Sequence, residues 1–216
     1  MRSIRWIPLV TAFVIALGCA STEASSSSDQ TTGAATTGST GGKTQTNMEA
    51  YTNKIAVLET NQGTIKIAFF PDKSPSFVKN FIDLSKKGFY DGTRFHRVIP
   101  GFMIQGGDPN SKGKDRSIMG TGGPGYAIDD EFNDIQHERG IVSMASSGPN
   151  TAGSQFFIVV KAAHHLDGKY NVFGHVIEGM DVVDKIVALP RDPRDNPLEE
   201  NPAVIKKITI EDAKKD

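Results

Sequence analysis

Lys54–Phe70, KIAVLETNQGTIKIAFF, decides the fold. KIAVLET and GTIKIAFF each alternate apolar and polar side chains, the period of a strand that sets one face against a core. NQG between them reads as a short hairpin loop, since Gly63 can take a positive φ. A sheet begins here.

Further along, the period lengthens. In DKSPSFVKNFIDLSKKG, residues 72–88, Phe77, Phe81 and Leu84 fall on one helical face beside Val78 and Ile82. Ser74 can cap the start, Pro75 fits the first turn and Gly88 can end the helix. Strand-like stretches follow at GIVSMA (140–145), SQFFIVV (154–160), NVFGHVI (171–177) and AVIKKITIED (203–212), with a second helix at MDVVDKIVAL (180–189). Many short strands, abundant glycine and only two helices predict a mainly antiparallel sheet or barrel, not alternating βαβ units.

Toward the N-terminus the chain has a different character. Residues 1–18 carry Arg2 and Arg5, then an apolar run from Trp6 to Leu17, then a small residue, which is the layout of a secretory signal peptide. The run is shorter than the ~20 residues of a membrane-spanning helix. Cys19 is the only cysteine, so no intrachain disulfide is possible. ALGC resembles the lipobox of bacterial lipoproteins, with Ala16 where leucine is usual and Leu17 one place later. Lipidation of Cys19 is the favoured reading, and ordinary cleavage after Gly18 is the alternative. Residues 19–50, rich in Ser, Thr and Gly, cannot offset the entropy of ordering and read as a tether spanning about 30 Å. Residues 51–216 remain as the folded domain. A lipid-anchored protein of the bacterial cell envelope, facing the periplasm or the surface, is expected; soluble secretion is the alternative.

A net charge of −1, with basic and acidic residues interspersed, leaves no basic stripe and argues against nucleic acid as a partner. Among the five histidines, His164 and His165 are adjacent and would diverge on a strand, while His96, His137 and His175 stand apart, so no metal site is expected. GGDPN and GTGGPG lack the strand-to-helix setting of a phosphate loop and read as turns. Ser154 has no acid–base partner signalled nearby.

The chemistry concentrates in RFHRVIPGFMIQGGD, Arg94–Asp108, where Arg97 stands in a largely apolar run with no obvious catalytic nucleophile, acid or base signalled beside it. Taken singly, a Phe, Met or Leu in a strand belongs to the core and a lone Arg to the surface. The grouping is what distinguishes them. With GIVSMASSGPNTAGSQFFIVV (140–160) and HHLDGKYNVFGHV (164–176), this stretch resembles the cyclophilin family of peptidyl-prolyl cis/trans isomerases, over about Lys54 to Glu211.

The resemblance implies a mainly β fold, a closed eight-stranded antiparallel barrel capped by two α-helices, with a packed interior and the substrate groove outside. It implies Arg97, Gln105 and Phe102 as catalytic residues. Phe102, Met103, Phe157 and Leu166 would form the proline pocket, Ala145 and Gln155 would line the groove, and Gly120 and Ser146 would flank the site of the preceding residue. His165 and Tyr170 also fall at substrate-binding positions, where well-known members carry tryptophan and histidine; Ser146 replaces the usual asparagine. The loss of that tryptophan implies weak binding of cyclosporin. No cofactor is implied, and the expected partner of a monomer is a proline-containing polypeptide. A tethered, non-catalytic proline-peptide receptor is the competing reading. The retained Arg97 and Gln105 favour an enzyme, because binding alone needs only the apolar pocket and backbone hydrogen bonds.

Overall fold

The computed structural model describes residues 50–213. The signal segment, Cys19 and nearly all of the tether lie outside the described residues.

The hairpin pairs β1 (Lys54–Thr60) with β2 (Gly63–Phe69), Thr60 opposite Gly63, which leaves Asn61 and Gln62 as a two-residue loop. Gly63 has φ of 135°, and the Thr60 hydroxyl closes the turn by donating to the Gly63 carbonyl at 2.6 Å. Alternation buries Ala56, Leu58, Ile65, Ile67 and Phe69 on one face. Four of the other strand-like stretches form β5 (Ile141–Met144), β6 (Phe156–Val159), β7 (Val172–Glu178) and β8 (Ile205–Asp212). Two strands lie where sequence periodicity is too short to show them: β3 (Arg97–Ile99) and β4 (Met103–Gly106), three and four residues of the arginine-bearing segment.

All pairings are antiparallel, in the order β3-β4-β6-β5-β7-β2-β1-β8. The sheet curls into a half-barrel, and among the described residues no continuous ladder joins β3 to β8. The outward amide of β3 is already committed, since Val98 N donates to Asp195 O at 2.7 Å in the loop before β8. The segment leading into β3 meets the start of β8 through the Arg94–Val204 bridge and the bonds Phe95 N to Ala203 O (2.9 Å), Ile205 N to Thr93 O (2.8 Å) and Gly92 N to Ile205 O (2.8 Å).

α1 (Pro75–Lys86) packs on β7 and β8, and α2 (Met180–Val187) on β2, β3 and β4. Phe77, Val78, Phe81, Ile82 and Leu84 are all buried, as the helical period requires. Ser74 occupies the N-cap position but does not cap with its side chain. Its hydroxyl donates instead to Val172 O at 2.7 Å, tying the helix start to the sheet. At the start of α2, Gly179 has φ of 94°, and a Cβ there would lie 2.3 Å from Thr64 O, so only glycine lets α2 approach β2 this closely.

The core sits on the concave side of the sheet. On β4 and β6, alternation sends Ile104, Phe156 and Ile158 into it, while Met103, Phe157 and Val159 form a separate apolar cluster on the opposite face with Ala163 and Leu166. That outer cluster locates the groove.

Candidate functional site

Strand register builds the site. Arg97 pairs with Gln105 across β3 and β4, Gln105 with Phe157 across β4 and β6, and Phe157 with Ser143 across β6 and β5. One cross-strand row therefore carries the cation, its amide neighbour and the apolar floor. A slip of one residue in β4 would put Gln105 into the core.

The floor is well packed: Met103, Phe157 and Leu166 are 2, 5 and 8 % exposed. Phe102, Ala145 and Tyr170 pack around them, half-buried. They enclose a groove of about 300 Å³, at whose rim stand Arg97, Gln105 and Ser146. Leu166 is delivered by a 3₁₀ turn, His164–Leu166. His164 and His165 thus lie on that turn and not on a strand. His164 faces Asp167 and Glu138 at 3.2 and 3.3 Å. The exposed ring of His165 packs on Phe102, centroids 5.5 Å apart, outside the groove lining. Tyr170 meets Phe157 edge-on at 5.7 Å.

A relay of amides orients the cation. Gln155 Nε2 donates to the carbonyls of Gly120 (2.9 Å) and Gly122 (2.8 Å). Its Oε1 is therefore the atom left to accept from Gln105 Nε2, at 2.9 Å. That in turn aims Gln105 Oε1 at Arg97, whose Nη1 donates to it at 3.4 Å. The carbonyls at the relay's origin are held by buried Asp108, which accepts from Gly120 N and from Asn110 N. Gly122 must be glycine, because a Cβ would lie 2.2 Å from Asp108 Oδ1. A second groove of about 400 Å³ runs from Gly120–Pro124 to Thr151 and shares Gln105, Ala145 and Ser146 with the first. Thus the expected residues gather around one continuous groove, with His165 at its margin.

Two features were not legible from sequence. Beneath Phe157 lies His137, stacked at 6.0 Å, its Nδ1 2.8 Å from Asp167 Oδ1 and its Nε2 3.2 Å from Ser143 Oγ. This is the arrangement of an activated nucleophile, but His137 and Ser143 are both fully buried, so no substrate meets them. Burial pushes the His137 pKa below its ordinary value and keeps the imidazole neutral. The trio props up the groove floor. The second feature is His96, 5 % exposed, its pKa likewise lowered, chiefly by burial. Ser154, by contrast, is structural: its hydroxyl donates to Gly107 O at 2.8 Å.

Residues 55–213 match the family model described as cyclophilin type peptidyl-prolyl cis-trans isomerase/CLD. A peptidyl-prolyl cis-trans isomerase of Synechococcus elongatus is 54% identical over 119 residues, covering 55% of this chain and 77% of the relative. Peptidyl-prolyl cis-trans isomerase B of Streptomyces anulatus is 43% identical over 179 residues, covering 72% and 95%. A crystal structure of a Cryptosporidium parvum cyclophilin type isomerase, in the presence of the dipeptide Ala-Pro, is similar with a TM-score of 0.66 at 38% identity, covering 73% of this chain and 98% of that one.

Proposed function

The chain belongs to the cyclophilin type peptidyl-prolyl cis-trans isomerase family, and we propose that it accelerates X–Pro rotation in the outer groove, with Arg97 as the catalytic cation. One observation carries this reading: Arg97 is exposed at the rim of an apolar pocket, oriented by the Gln105–Gln155 relay, and no carboxylate pairs with it among the described residues.

Rotation about an X–Pro bond moves no proton and breaks no covalent bond; it opposes amide resonance worth a barrier of about 18–20 kcal/mol. The catalyst need only bind the twisted amide more tightly than the planar one. In the twisted state the proline nitrogen carries a localised lone pair. A guanidinium, always charged and with several fixed donors, can hydrogen-bond to that nitrogen or hold the proline carbonyl. Phe102, Met103, Phe157 and Leu166 grip the ring and exclude water, which strengthens the cation's local field. Turnover of about 10³ per second requires roughly 6 kcal/mol from the site. One charge-assisted hydrogen bond plus anchoring of the ring is of that size. Ala145 and Gln155 line the path of the chain, and Gly120 and Ser146 flank the residue before proline.

The experiment is a direct assay of isomerisation on a short Ala-Pro peptide. Acceleration over the spontaneous rate is expected. Peptide binding without acceleration would instead make the chain a non-catalytic receptor.

Two further parts of the proposal concern this chain in particular. The lipobox-like ALGC motif supports an envelope protein anchored through Cys19, and we take it to act there as a monomer on exported, proline-containing clients. Stable anchoring takes two or more acyl chains. Mass spectrometry of the mature N-terminus from native cells is expected to find them on Cys19, with a monomer in detergent; a soluble, unmodified N-terminus would refute the anchor. Second, His165 offers Phe102 a smaller ring than tryptophan would and no indole N–H. Weak inhibition by cyclosporin is expected. His165→Trp should increase affinity by about 30- to 1,000-fold, the worth of one buried aromatic contact and its hydrogen bond. Low-nanomolar inhibition of the parent would overturn this.

A further inference from the structure

Next to the proline pocket, and sharing Arg97 and Gln105 with it, is a cavity of about 200 Å³, lined also by His96, Arg116, Gly120, Arg194 and Asn196. Three arginines and a buried imidazole meet there, and no carboxylate is among the lining residues. Their commitments differ. Arg116 is spoken for: it donates to Asp192 Oδ2 at 2.8 Å and to the carbonyls of Pro197 and Asn196 at 2.7 and 3.0 Å. Arg194 is exposed and forms no ion pair among the described residues, and Asp115, the acidic group nearest in its influence, bonds Ser117. Among the described residues, the Arg97 side chain has only its contact to Gln105. The acidic residues nearby face elsewhere: Asp108 toward backbone amides, Asp192 toward Arg116, and Asp195 toward Arg191.

His96 forms one wall: its ring lines the cavity beside Gly120 and is more than nine-tenths buried.

We propose that this cavity is a subsite for the carboxylate of an acidic residue close to the X–Pro bond, so that the isomerase prefers acidic segments of its clients. The inference rests on the isomerase reading above. Arg97 borders both the proline pocket and this cavity, so a side chain a short distance along a bound peptide can reach it. A carboxylate accepts from several donors at once, which suits Arg194 and Arg97 together. Because the cavity opens to solvent, each charge contributes modestly, and the expected preference is about 3- to 10-fold.

The test compares kcat/KM for peptides that differ only by Glu or Gln at each position within two residues of the Ala-Pro pair. At low salt, the parent should turn over the Glu peptide about 3- to 10-fold faster than its Gln counterpart at one or two of these positions. In Arg194→Glu that ratio should fall below one, and in Arg194→Ala toward one. At about 1 M salt, where the Debye length is ~3 Å, the parent's preference should also fade. A parent that isomerises Glu and Gln peptides equally at every position, or a preference that survives Arg194→Glu or high salt, would overturn the subsite and leave the isomerase reading intact. A parent that accelerates neither peptide would overturn the isomerase reading itself.

Discussion

Replacing Arg97 by alanine is expected to lower kcat/KM on an Ala-Pro peptide by about 10²- to 10³-fold, the loss of roughly 3–4 kcal/mol of a charge-assisted contact made mainly in the transition state. Folding should be spared. Arg97 is exposed, opens a three-residue strand, and its one side-chain bond is the 3.4 Å contact to Gln105. Circular dichroism and thermal midpoint should therefore stay close to the parent's. Arg97→Lys should recover little, because an ammonium keeps the charge without the planar fork that spans carbonyl and nitrogen. The pH profile separates this mechanism from an acid–base one. A guanidinium stays charged throughout this range, and burial pushes both His96 and His137 below the ordinary 6.5, so both are neutral above that pH. kcat/KM should be flat from about pH 7 to 9, whereas proton transfer would give a bell. A bell, or an Arg97→Ala variant as fast as its parent, would make the arginine structural.

How far this site was legible in sequence depends on the range of the interactions involved. The first hairpin and α1 were readable because periodicity and turn chemistry are local: Gly63 falls at the turn and Phe77, Phe81 and Leu84 fall inside. Strands β3 and β4 were not separable, since three or four residues cannot display a period, although they hold the cation and the amide that orients it. Arg97, Phe102, Met103, Gln105 and Phe157 were recognisable as a set through family resemblance, and register then explains why they meet on one face. How the edges β3 and β8 meet was invisible, because the Val98 N to Asp195 O bond and the Arg94–Val204 bridge join segments far apart along the chain. The same holds for the Ser143–His137–Asp167 trio and for the buried His96 ring, whose surroundings come from distant segments. Ser74 shows the opposite error. Its local signal for a cap was sound, and a tertiary acceptor, Val172 O, took the hydroxyl instead.

The largest expected loss of stability is for Phe81→Ala. Phe81 is fully buried on α1, and its ring meets four others: Tyr90 at 5.1 Å, Phe173 at 5.2 Å, Phe156 at 5.3 Å and Phe69 at 5.8 Å. Those partners belong to β2, β6 and β7 and to the segment after α1, so one side chain keys the helix to three strands. Truncation removes the transfer energy of the ring and leaves a cavity that four rigid rings cannot collapse to fill, a cost of about 3–5 kcal/mol, with part of the aromatic pairing lost in addition. Alanine is the better helix former by about half a kcal/mol, so local propensity alone would give the opposite sign. Against a total stability of roughly 5–15 kcal/mol, the thermal midpoint should fall by about 8–15 °C. The groove should feel this indirectly, since Phe156 packs on Phe81 from one face of β6 while Phe157 floors the groove from the other. A midpoint within about 3 °C of the parent's would show that the ring cluster can repack around the gap, and that α1 is held to the sheet by its other buried residues instead.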